Sequence, residues 1–294
     1  MIISDISHGE EAIPIPAFND IDDEPPFPFH YIATPWLSES INISENPAFL
    51  QGCDCMGGNC SENCSCNEAN EGRCAYDSKG RANLNMSFPI YECNDNCKCN
   101  CKQCHNRVVQ KGIHIPLEIF KTLKCGWGIR TSVPIRKGTF LCCYAGEILK
   151  EYETEERGKE KGDEYLMNMD TWLLIEQQSC RDDESEKVTR AILKNYERDV
   201  IVDDVDDRDM LCIDAKWFGN IARFMNHSCD PNVTVRAVFV EYQDKRLPRS
   251  CFFANRDIAA GEELCYDYGY VDGSVKGRHK PCFCGSAKCR KNLY

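Results

Sequence analysis

The sequence contains no apolar stretch close to the roughly 18 residues that a membrane-spanning helix needs. Residues 1–11 also lack the apolar core of about 7–15 residues that marks a secretory signal peptide. We therefore expect a protein of the nucleus or cytosol that does not contact a membrane. Thiols stay reduced in those compartments.

Basic residues are in the minority, with 35 lysines and arginines against 47 aspartates and glutamates and a formal net charge of −12. This balance disfavours nucleic-acid binding as the main activity, whether non-specific or sequence-specific, and it suits a basic partner. The end of the chain departs from it, because no acidic residue follows Asp272. The basic residues there form either a solvated surface or a contact with substrate or nucleic acid; they are Lys276, Arg278, Lys280, Lys288, Arg290 and Lys291.

Long helical periods are scarce, and most regular segments alternate as strands do. Strands are expected at 117–123, 139–144, 211–214, 233–242 and 250–254, and a short helix at 152–161. The sequence therefore predicts a mainly β domain made of several small sheets.

An acidic segment at residues 170–210 interrupts this pattern. Acidic runs at 182–184 and 203–207 flank apolar residues at helical spacing. We interpret the segment as a partly disordered insertion with one amphipathic helix. Its charges are either a solvated face or a docking surface for a basic partner.

Against these absences stand 22 cysteines. Nine of them lie at short, repeated spacings between Gly52 and Cys104: Cys53, Cys55, Cys60, Cys64, Cys66, Cys93, Cys97, Cys99 and Cys104. In a reducing compartment such spacing favours zinc over disulfides. Zinc takes four ligands, so nine thiolates suffice for three zinc ions if three of them each bridge two ions. The spacing predicts a triangular three-zinc cluster, in which Cys101 could replace Cys99.

A second cysteine group, Cys282, Cys284 and Cys289, lies near the end of the chain. Three thiolates are one ligand short of a tetrahedral zinc site. The fourth ligand must come from elsewhere, and it would tie the tail to the central domain.

The sequence suggests neither a catalytic triad nor a catalytic pair of carboxylates. Polar and aromatic side chains instead concentrate at residues 223–232 and 261–269. Taken alone, His227 is more typical of a structural histidine, and Tyr266 and Tyr268 are more typical of packing residues.

Six motifs in one order resemble those of the SET-domain lysine methyltransferases of the suppressor-of-variegation class, which methylate lysine-9 of histone H3. They are the nine-cysteine run continuing into C-H-N-R at 104–107, G-W-G-I-R at 126–130, Y-A-G-E at 144–147, N-H-S-C at 226–229, E-L-C-Y-D-Y at 263–268 and C-F-C-G at 282–285. The resemblance covers nearly the whole chain. Residues 170–210 and 273–277 are similar to the SETDB-like branch and residues 76–81 to the euchromatic branch, so the branch stays open.

The resemblance implies a mainly β SET-domain fold of several small sheets with a pseudoknot. A triangular three-zinc, nine-cysteine pre-SET module and a single-zinc post-SET tail would flank it. The implied division is an N-terminal flank packed on the SET domain at 1–50, the pre-SET cluster at 51–112, the SET domain at 115–269 with its insertion at 170–210, and the post-SET tail at 278–294.

The same resemblance implies that the chain binds S-adenosylmethionine. The residues that would border this cofactor are Gly126, Trp127, Gly128, Tyr165, Arg223, Asn226 and His227. In the family, the Asn-His segment threads beneath the loop at 263–268. That pseudoknot would bring Cys229 to the C-terminal trio as the fourth zinc ligand.

Three tyrosines would carry the transfer of a methyl group to a lysine amine. By resemblance, Tyr268 positions methyl group and amine at the end of a channel, and Tyr144 flanks the amine. Tyr266 lies where the family controls the number of methyl groups, and a tyrosine there favours mono- and dimethylation.

The expected substrate is the basic tail of histone H3, bound as an added strand on the SET domain, in the nucleus and on chromatin. Targeting would depend on chromatin-associated partners. Two alternatives stay open: a methyltransferase for a non-histone lysine, and an inactive zinc-scaffolded module that binds chromatin. A purely structural or nucleic-acid-binding zinc protein would explain the cysteines but not the polar-aromatic segments.

Overall fold

The computed structural model describes residues 2–42, 51–56, 60, 64–86, 89–162, 164–169, 210–241, 246–270 and 279–294. The insertion predicted at 170–210, apart from Met210, and the segment 273–277 lie outside the described residues. None of the helices in the described ranges combines the length and the apolar character that a bilayer crossing requires.

Short strands dominate the described residues. In chain order they are β1 (Ala17–Phe18), β2 (His30–Tyr31), β3 (Trp36–Leu37), β4 (Ile90–Tyr91), β5 (Leu117–Lys121), β6 (Trp127–Thr131), β7 (Phe140–Cys143), β8 (Glu147–Lys150), β9 (Leu166–Asn168), β10 (Leu211–Asp214), β11 (Phe218–Gly219), β12 (Asn226–His227), β13 (Val233–Phe239), β14 (Arg249–Ala254) and β15 (Glu263–Tyr266). The helices are α1 (Ser65–Ala69) and α2 (Glu151–Lys161), with 3-10 turns at Val109–Lys111 and Ile221–Phe224. The predicted strands and the predicted short helix are confirmed as elements, but the strands predicted at 117–123 and 233–242 end earlier, at Lys121 and Phe239.

The strands form four small sheets, in the orders β1-β5-β6-β15-β12, β3-β8-β10-β9, β11-β2 and β4-β13-β14-β7. In the first sheet, β15 pairs antiparallel with β6 and parallel with β12. The parallel register sets Asn226 opposite Cys265 and His227 opposite Tyr266. Two segments about 40 residues apart in sequence thus meet side by side.

The sheet that contains β14 separates two apolar cores, because successive side chains of a strand point to opposite faces. Phe252 packs in the core of the central domain, near Tyr144 and Tyr266. The next residue, Phe253, packs in a second core that includes Tyr76. The sheet therefore joins the cysteine-rich module to the central domain.

Buried Glu92 links separate segments of the cysteine-rich module. Its carboxylate accepts hydrogen bonds from the Tyr76 hydroxyl at 2.7 Å and from the main-chain N–H groups of Val108 at 2.8 Å and Val109 at 2.7 Å. Strand β4, directly before Glu92, extends the sheet by pairing with β13. A buried carboxylate with several donors makes strong hydrogen bonds, so Glu92 fixes the module internally. The pairing of β4 with β13 is the contact that joins this part of the module to the central domain.

Candidate functional site

The nine predicted cysteines gather into one cluster. Three of them occupy its centre: the Sγ atoms of Cys53 and Cys60 are 3.6 Å apart, and those of Cys60 and Cys93 are 3.4 Å apart. Three overlapping groups have all their sulfurs within 4.8 Å of one another. They are Cys53, Cys55, Cys60 and Cys64; Cys53, Cys66, Cys93 and Cys97; and Cys53, Cys60, Cys93 and Cys99.

Cys104 also lies at the third group, since its Sγ is 3.6 Å from that of Cys60 and 3.7 Å from that of Cys93. Cys60, Cys93, Cys99 and Cys104 can then form one four-ligand set, which leaves Cys53 for the other two. The six outer cysteines then fall into three pairs, one on each edge of the central triangle: Cys55 with Cys64, Cys66 with Cys97, and Cys99 with Cys104. This arrangement can hold three tetrahedral zinc ions. Cys99 is buried in the cluster, whereas Cys101 is exposed outside it.

Hydrogen bonds favour the thiolate form at part of this cluster. The hydrogen bond between the sulfurs of Cys104 and Cys93 lowers the pKa of Cys104 to about 5 and raises that of Cys93; burial opposes the lowering and the Asn106 backbone supports it. The pKa of Cys97 is also lowered, first by hydrogen bonds with the thiols of Cys66 and Cys93. The main-chain N–H groups of Cys53 and Asn94, each at 3.3 Å from its Sγ, contribute less. Thiolate is the form that binds zinc.

The structure also brings a fourth cysteine to the C-terminal trio, and it is Cys229, the residue that the resemblance implied. The sulfurs of Cys229, Cys282, Cys284 and Cys289 all lie within 4.8 Å of one another. Cys229 follows β12 by two residues. The pairing of β12 with β15 therefore places Cys229 next to the C-terminal cysteines.

Two of the basic residues in the tail contact the central domain. Lys288 Nζ lies 2.8 Å from the Asp230 carboxylate, and Arg290 Nη2 lies 2.9 Å from that of Asp267. These two side chains therefore bind the tail to the domain. This differs from both alternatives given for them above, a solvated surface and a contact with substrate or nucleic acid. Lys276 and Arg278 lie outside the described residues.

A cleft of about 1000 Å³ lies beside the paired strands β12 and β15. Nine of the ten residues predicted to contact cofactor or substrate line it: Gly126, Trp127, Tyr144, Tyr165, Arg223, Asn226, His227, Tyr266 and Tyr268. The tenth, Gly128, is buried behind the wall. A Cβ atom there would lie 2.6 Å from Glu263 Oε1 and 3.2 Å from Asn226 Nδ2.

One end of the cleft is aromatic. The ring centroids of Tyr266 and Tyr268 are 4.8 Å apart, and Phe252 packs edge-on against Tyr266 at 4.9 Å. The Tyr144 hydroxyl donates to the Tyr165 carbonyl at 2.9 Å. Burial raises the pKa values of Tyr144 and Tyr268 well above their usual range. The hydroxyls stay protonated at neutral pH, so they position partners and do not act as bases.

His227 connects this end to the C-terminal cysteines. Its Nδ1 accepts the main-chain N–H of Tyr268 at 3.2 Å, and its Nε2 lies 3.2 Å from the Sγ of Cys229. Burial lowers the pKa of His227, although nearby Asp267 opposes the shift. A neutral imidazole that accepts at Nδ1 carries its proton on Nε2 and can donate it to the cysteine sulfur.

Arg223 forms another wall of the cleft. Its guanidinium lies between the rings of Phe29 at 4.4 Å and Tyr165 at 4.2 Å. Nε and Nη2 donate to the carbonyls of Ala215 and Lys216, while buried Nη1 has no hydrogen-bond partner among the described residues. A free buried donor at a cleft fits a ligand with an acceptor atom.

Sequence reasoning missed several residues of the cleft. Phe27, Met167, Met225 and Tyr270 line it, and Phe29 stacks on Arg223 from the N-terminal flank. Isolated apolar residues carry no signal of this role. Met225 contributes through its main-chain carbonyl, which any residue could supply.

Comparisons with known proteins agree with this geometry. The SET domain family matches residues 126–269 and the Pre-SET motif family matches residues 7–107. The chain is 37% identical over 295 residues to Histone-lysine N-methyltransferase EHMT1 of Homo sapiens, covering 99% of this chain and 20% of that protein. It is also 37% identical over 303 residues to Histone-lysine N-methyltransferase, H3 lysine-9 specific SUVH6 of Arabidopsis thaliana, covering 99% of this chain and 36% of that protein.

Solved structures are similar over the same length. The crystal structure of Arabidopsis thaliana SUVH6 in complex with SAM matches with a TM-score of 0.80 and 36% identity, over 99% of this chain and 56% of that one. The crystal structure of KRYPTONITE in complex with mCHH DNA, H3(1-15) peptide and SAH matches with a TM-score of 0.78 and 31% identity, over 100% of this chain and 54% of that one. The chain thus spans only part of these relatives.

The four small sheets, the strand pairing beside the cleft and the cysteine clusters define a SET-domain protein with a pre-SET module. The chain belongs to the family of SET-domain histone lysine methyltransferases that carry a pre-SET module, and the relatives to which it is similar include enzymes named for H3 lysine-9. The resemblance drawn from the six motifs and the predicted fold class are both confirmed.

Proposed function

We propose that this chain is an S-adenosylmethionine-dependent protein-lysine N-methyltransferase that acts on lysine-9 of histone H3. The observation that carries the proposal is the cleft, where three tyrosines meet the Asn226–His227 strand that the family uses for its cofactor. An inactive scaffold would not need both the three tyrosines and the Asn226–His227 strand in one cleft.

The residues of the cleft fit S-adenosylmethionine. Asn226 offers an amide and Arg223 an unpartnered buried N–H, while Trp127 and Tyr165 offer flat apolar surface. We assign cofactor binding to Gly126, Trp127, Tyr165, Arg223, Asn226 and His227, with Gly128 supporting them from behind. When bound, the cofactor supplies a methyl group on a positively charged sulfur.

The chain must present a neutral lysine amine in line with that methyl group. A free lysine has a pKa of about 10.4, so few amines are neutral at physiological pH. The buried aromatic end of the cleft disfavours the ammonium form and thus lowers this pKa. Tyr268 and Tyr144 hold the amine in place through protonated hydroxyls. Orientation of this kind can supply roughly 7–11 kcal/mol in well-aligned systems, so no nucleophilic side chain is needed.

Tyr266 limits the number of methyl groups in this proposal. It lies between Phe252 at 4.9 Å and Tyr268 at 4.8 Å, so its hydroxyl takes space at the aromatic end. Mono- and dimethyllysine are therefore the favoured products.

The cysteine clusters hold structural zinc in this proposal. Cys53, Cys60 and Cys93 would bridge three ions, and the pairs Cys55–Cys64, Cys66–Cys97 and Cys99–Cys104 would complete their coordination. Cys229, Cys282, Cys284 and Cys289 would hold a fourth ion. All-thiolate donors are typical of structural zinc. The proposed domains are the N-terminal flank at 1–50, the pre-SET module at 51–112, the SET domain at 115–269 and the post-SET tail at 278–294.

The substrate is proposed to be the basic tail of histone H3, bound as an added strand. Support comes from KRYPTONITE, which was crystallised with an H3(1-15) peptide, and from the net charge of −12. Activity on this tail places the protein on chromatin in the nucleus, with chromatin-associated targeting partners. A non-histone lysine is the second candidate, since the same cleft would serve it.

The test is methylation of an H3 tail peptide by the zinc-loaded protein, followed by mass spectrometry. We expect methylation that disappears when the ninth residue of the peptide is arginine. If S-adenosylmethionine binds but the peptide is not methylated, the substrate assignment is wrong. If the cofactor does not bind, the chain is an inactive scaffold.

A further inference from the structure

The Asn226 side chain is held by two acceptors on neighbouring strands. Its Nδ2 donates to the Trp127 carbonyl at 3.1 Å and to Glu263 Oε1 at 2.8 Å. A side-chain amide has two N–H hydrogens, and both acceptors can only accept. The orientation of the amide is therefore determined by its contacts, with nitrogen toward Trp127 and Glu263.

This orientation leaves Oδ1 without a hydrogen-bond partner among the described residues, in an amide that lines the cleft. The oxygen is a pure acceptor, so it suits an ammonium group and does not suit a carboxylate. Without Glu263, one N–H would lose its partner, and the amide could turn its nitrogen into the cleft.

The structure makes room for Glu263 in particular. Buried Gly128 lies opposite it, and a Cβ at that position would meet Glu263 Oε1 at 2.6 Å, too close for any real contact. The cation nearest in register, Arg130, is paired with Glu118 at 2.6 Å. A Cβ at position 128 would therefore push the Glu263 carboxylate away from its place beside Asn226.

We propose that Glu263 is a positioning residue: it fixes the Asn226 amide so that Oδ1 accepts from the ammonium group in the amino-acid part of the cofactor. The inference rests on the proposed function and deepens it. It predicts that Glu263 contributes to recognition of the amino-acid part and not of the adenosine part.

Two ligands separate these parts. S-adenosylhomocysteine carries the ammonium group, and 5′-methylthioadenosine lacks the amino-acid part but keeps the adenosine. Calorimetric titration of the zinc-loaded protein measures both affinities without turnover. Glu263→Leu removes the acceptor and keeps the bulk, so S-adenosylhomocysteine should bind about tenfold more weakly or worse, with 5′-methylthioadenosine unchanged.

The conservative variant should rescue binding. Glu263→Gln keeps an amide oxygen that can accept from Asn226, so its affinity for S-adenosylhomocysteine should stay within about threefold of the wild type. Gly128→Ala should behave like Glu263→Leu, because the methyl group displaces the carboxylate. Glu262→Gln is the matched control: this neighbouring carboxylate pairs with Arg256, and both affinities should be unchanged.

The inference is overturned if Glu263→Leu weakens both ligands equally, which is the result of a general structural role, or if it weakens neither. It is also overturned if Glu263→Gln is as weak as Glu263→Leu, because charge would then be the cause. If the wild-type protein binds neither ligand, the proposed S-adenosylmethionine-dependent function is wrong. Thermal unfolding of each variant identifies any that fail to fold, and Gly128→Ala then provides a second, independent route to the same comparison.

Discussion

The hydroxyl of Tyr268 donates to the main-chain carbonyl of Met225 at 2.9 Å. This bond joins a residue two positions after β15 to the residue directly before β12, and these two strands lie side by side next to the cleft. The hydroxyl hydrogen is thereby directed, and the oxygen lone pairs remain for a partner in the cleft.

Replacing Tyr268 by phenylalanine should remove catalysis and leave cofactor binding. The ring still packs against Tyr266 and His227, so the loop keeps its place, but the directed hydroxyl is lost. We expect the rate to fall about a hundredfold or more, the usual cost of removing one preorganised polar group. Single-turnover methylation measures the rate, and calorimetry with S-adenosylhomocysteine is the control. A variant that is slow because it no longer binds the cofactor would contradict this assignment.

Tyr266→Phe should shift the product toward trimethyllysine. The change removes one hydroxyl between Phe252 and Tyr268, and the space gained can admit a further methyl group. Mass spectra over a time course report the distribution. Early trimethyl product from the wild-type protein would show that Tyr266 does not limit methyl number.

Local patterns allowed much of the fold to be predicted. Strand β10 has the predicted bounds, Leu211–Asp214, because its residues are all buried and flanked by polar segments. The nine-cysteine cluster was also predictable, since its two halves are short and zinc chemistry fixes the number of ligands. In both cases the predictive signal is a short local pattern, although the contacts themselves reach further: Cys60 and Cys93 are 33 residues apart in sequence.

The remaining features depend on contacts that leave no local pattern. Met225 acts through a carbonyl, and Phe29 reaches Arg223 across nearly 200 residues of sequence. Gly128 was assigned to the cofactor, yet the structure shows that Glu263 occupies the space beside it. Such pairings are set by tertiary packing, and a single sequence does not record them.

Cys93 and Cys101 should respond oppositely to serine. Cys93 is buried in the central triangle and belongs to two of the four-sulfur groups, so Cys93→Ser would disturb two zinc ions at once. We expect loss of at least one zinc per chain and unfolding near room temperature, because structural zinc contributes directly to folding. Cys101→Ser, at an exposed position, should keep the full zinc content. Atomic absorption and circular dichroism measure both; equal zinc loss in the two variants would contradict the ligand assignment.

Arg290 and Lys288 offer a comparison between two ion pairs of the same tail. Arg290 pairs with Asp267, which lies between Tyr266 and Tyr268, and its Nη2 is also 3.4 Å from His227 Nε2. Lys288 pairs with Asp230, next to Cys229.

Both ion pairs are partly exposed, so each contributes at most about 1 kcal/mol. Arg290→Gln should therefore slow methylation by about two- to fivefold at low salt, and the difference from wild type should shrink as salt screens the pair.

Lys288→Gln removes the same charge from the same tail but leaves Asp267 paired, so its methylation rate should stay close to wild type. Zinc content must be unchanged in both variants for the comparison to hold, since Arg290 follows Cys289 directly. If Arg290→Gln and Lys288→Gln slow the reaction equally, the tail supports catalysis only by its attachment to the SET domain. A slower rate confined to Arg290→Gln, with full zinc, would mean that the tail also sets the position of Tyr268 through Asp267 and His227.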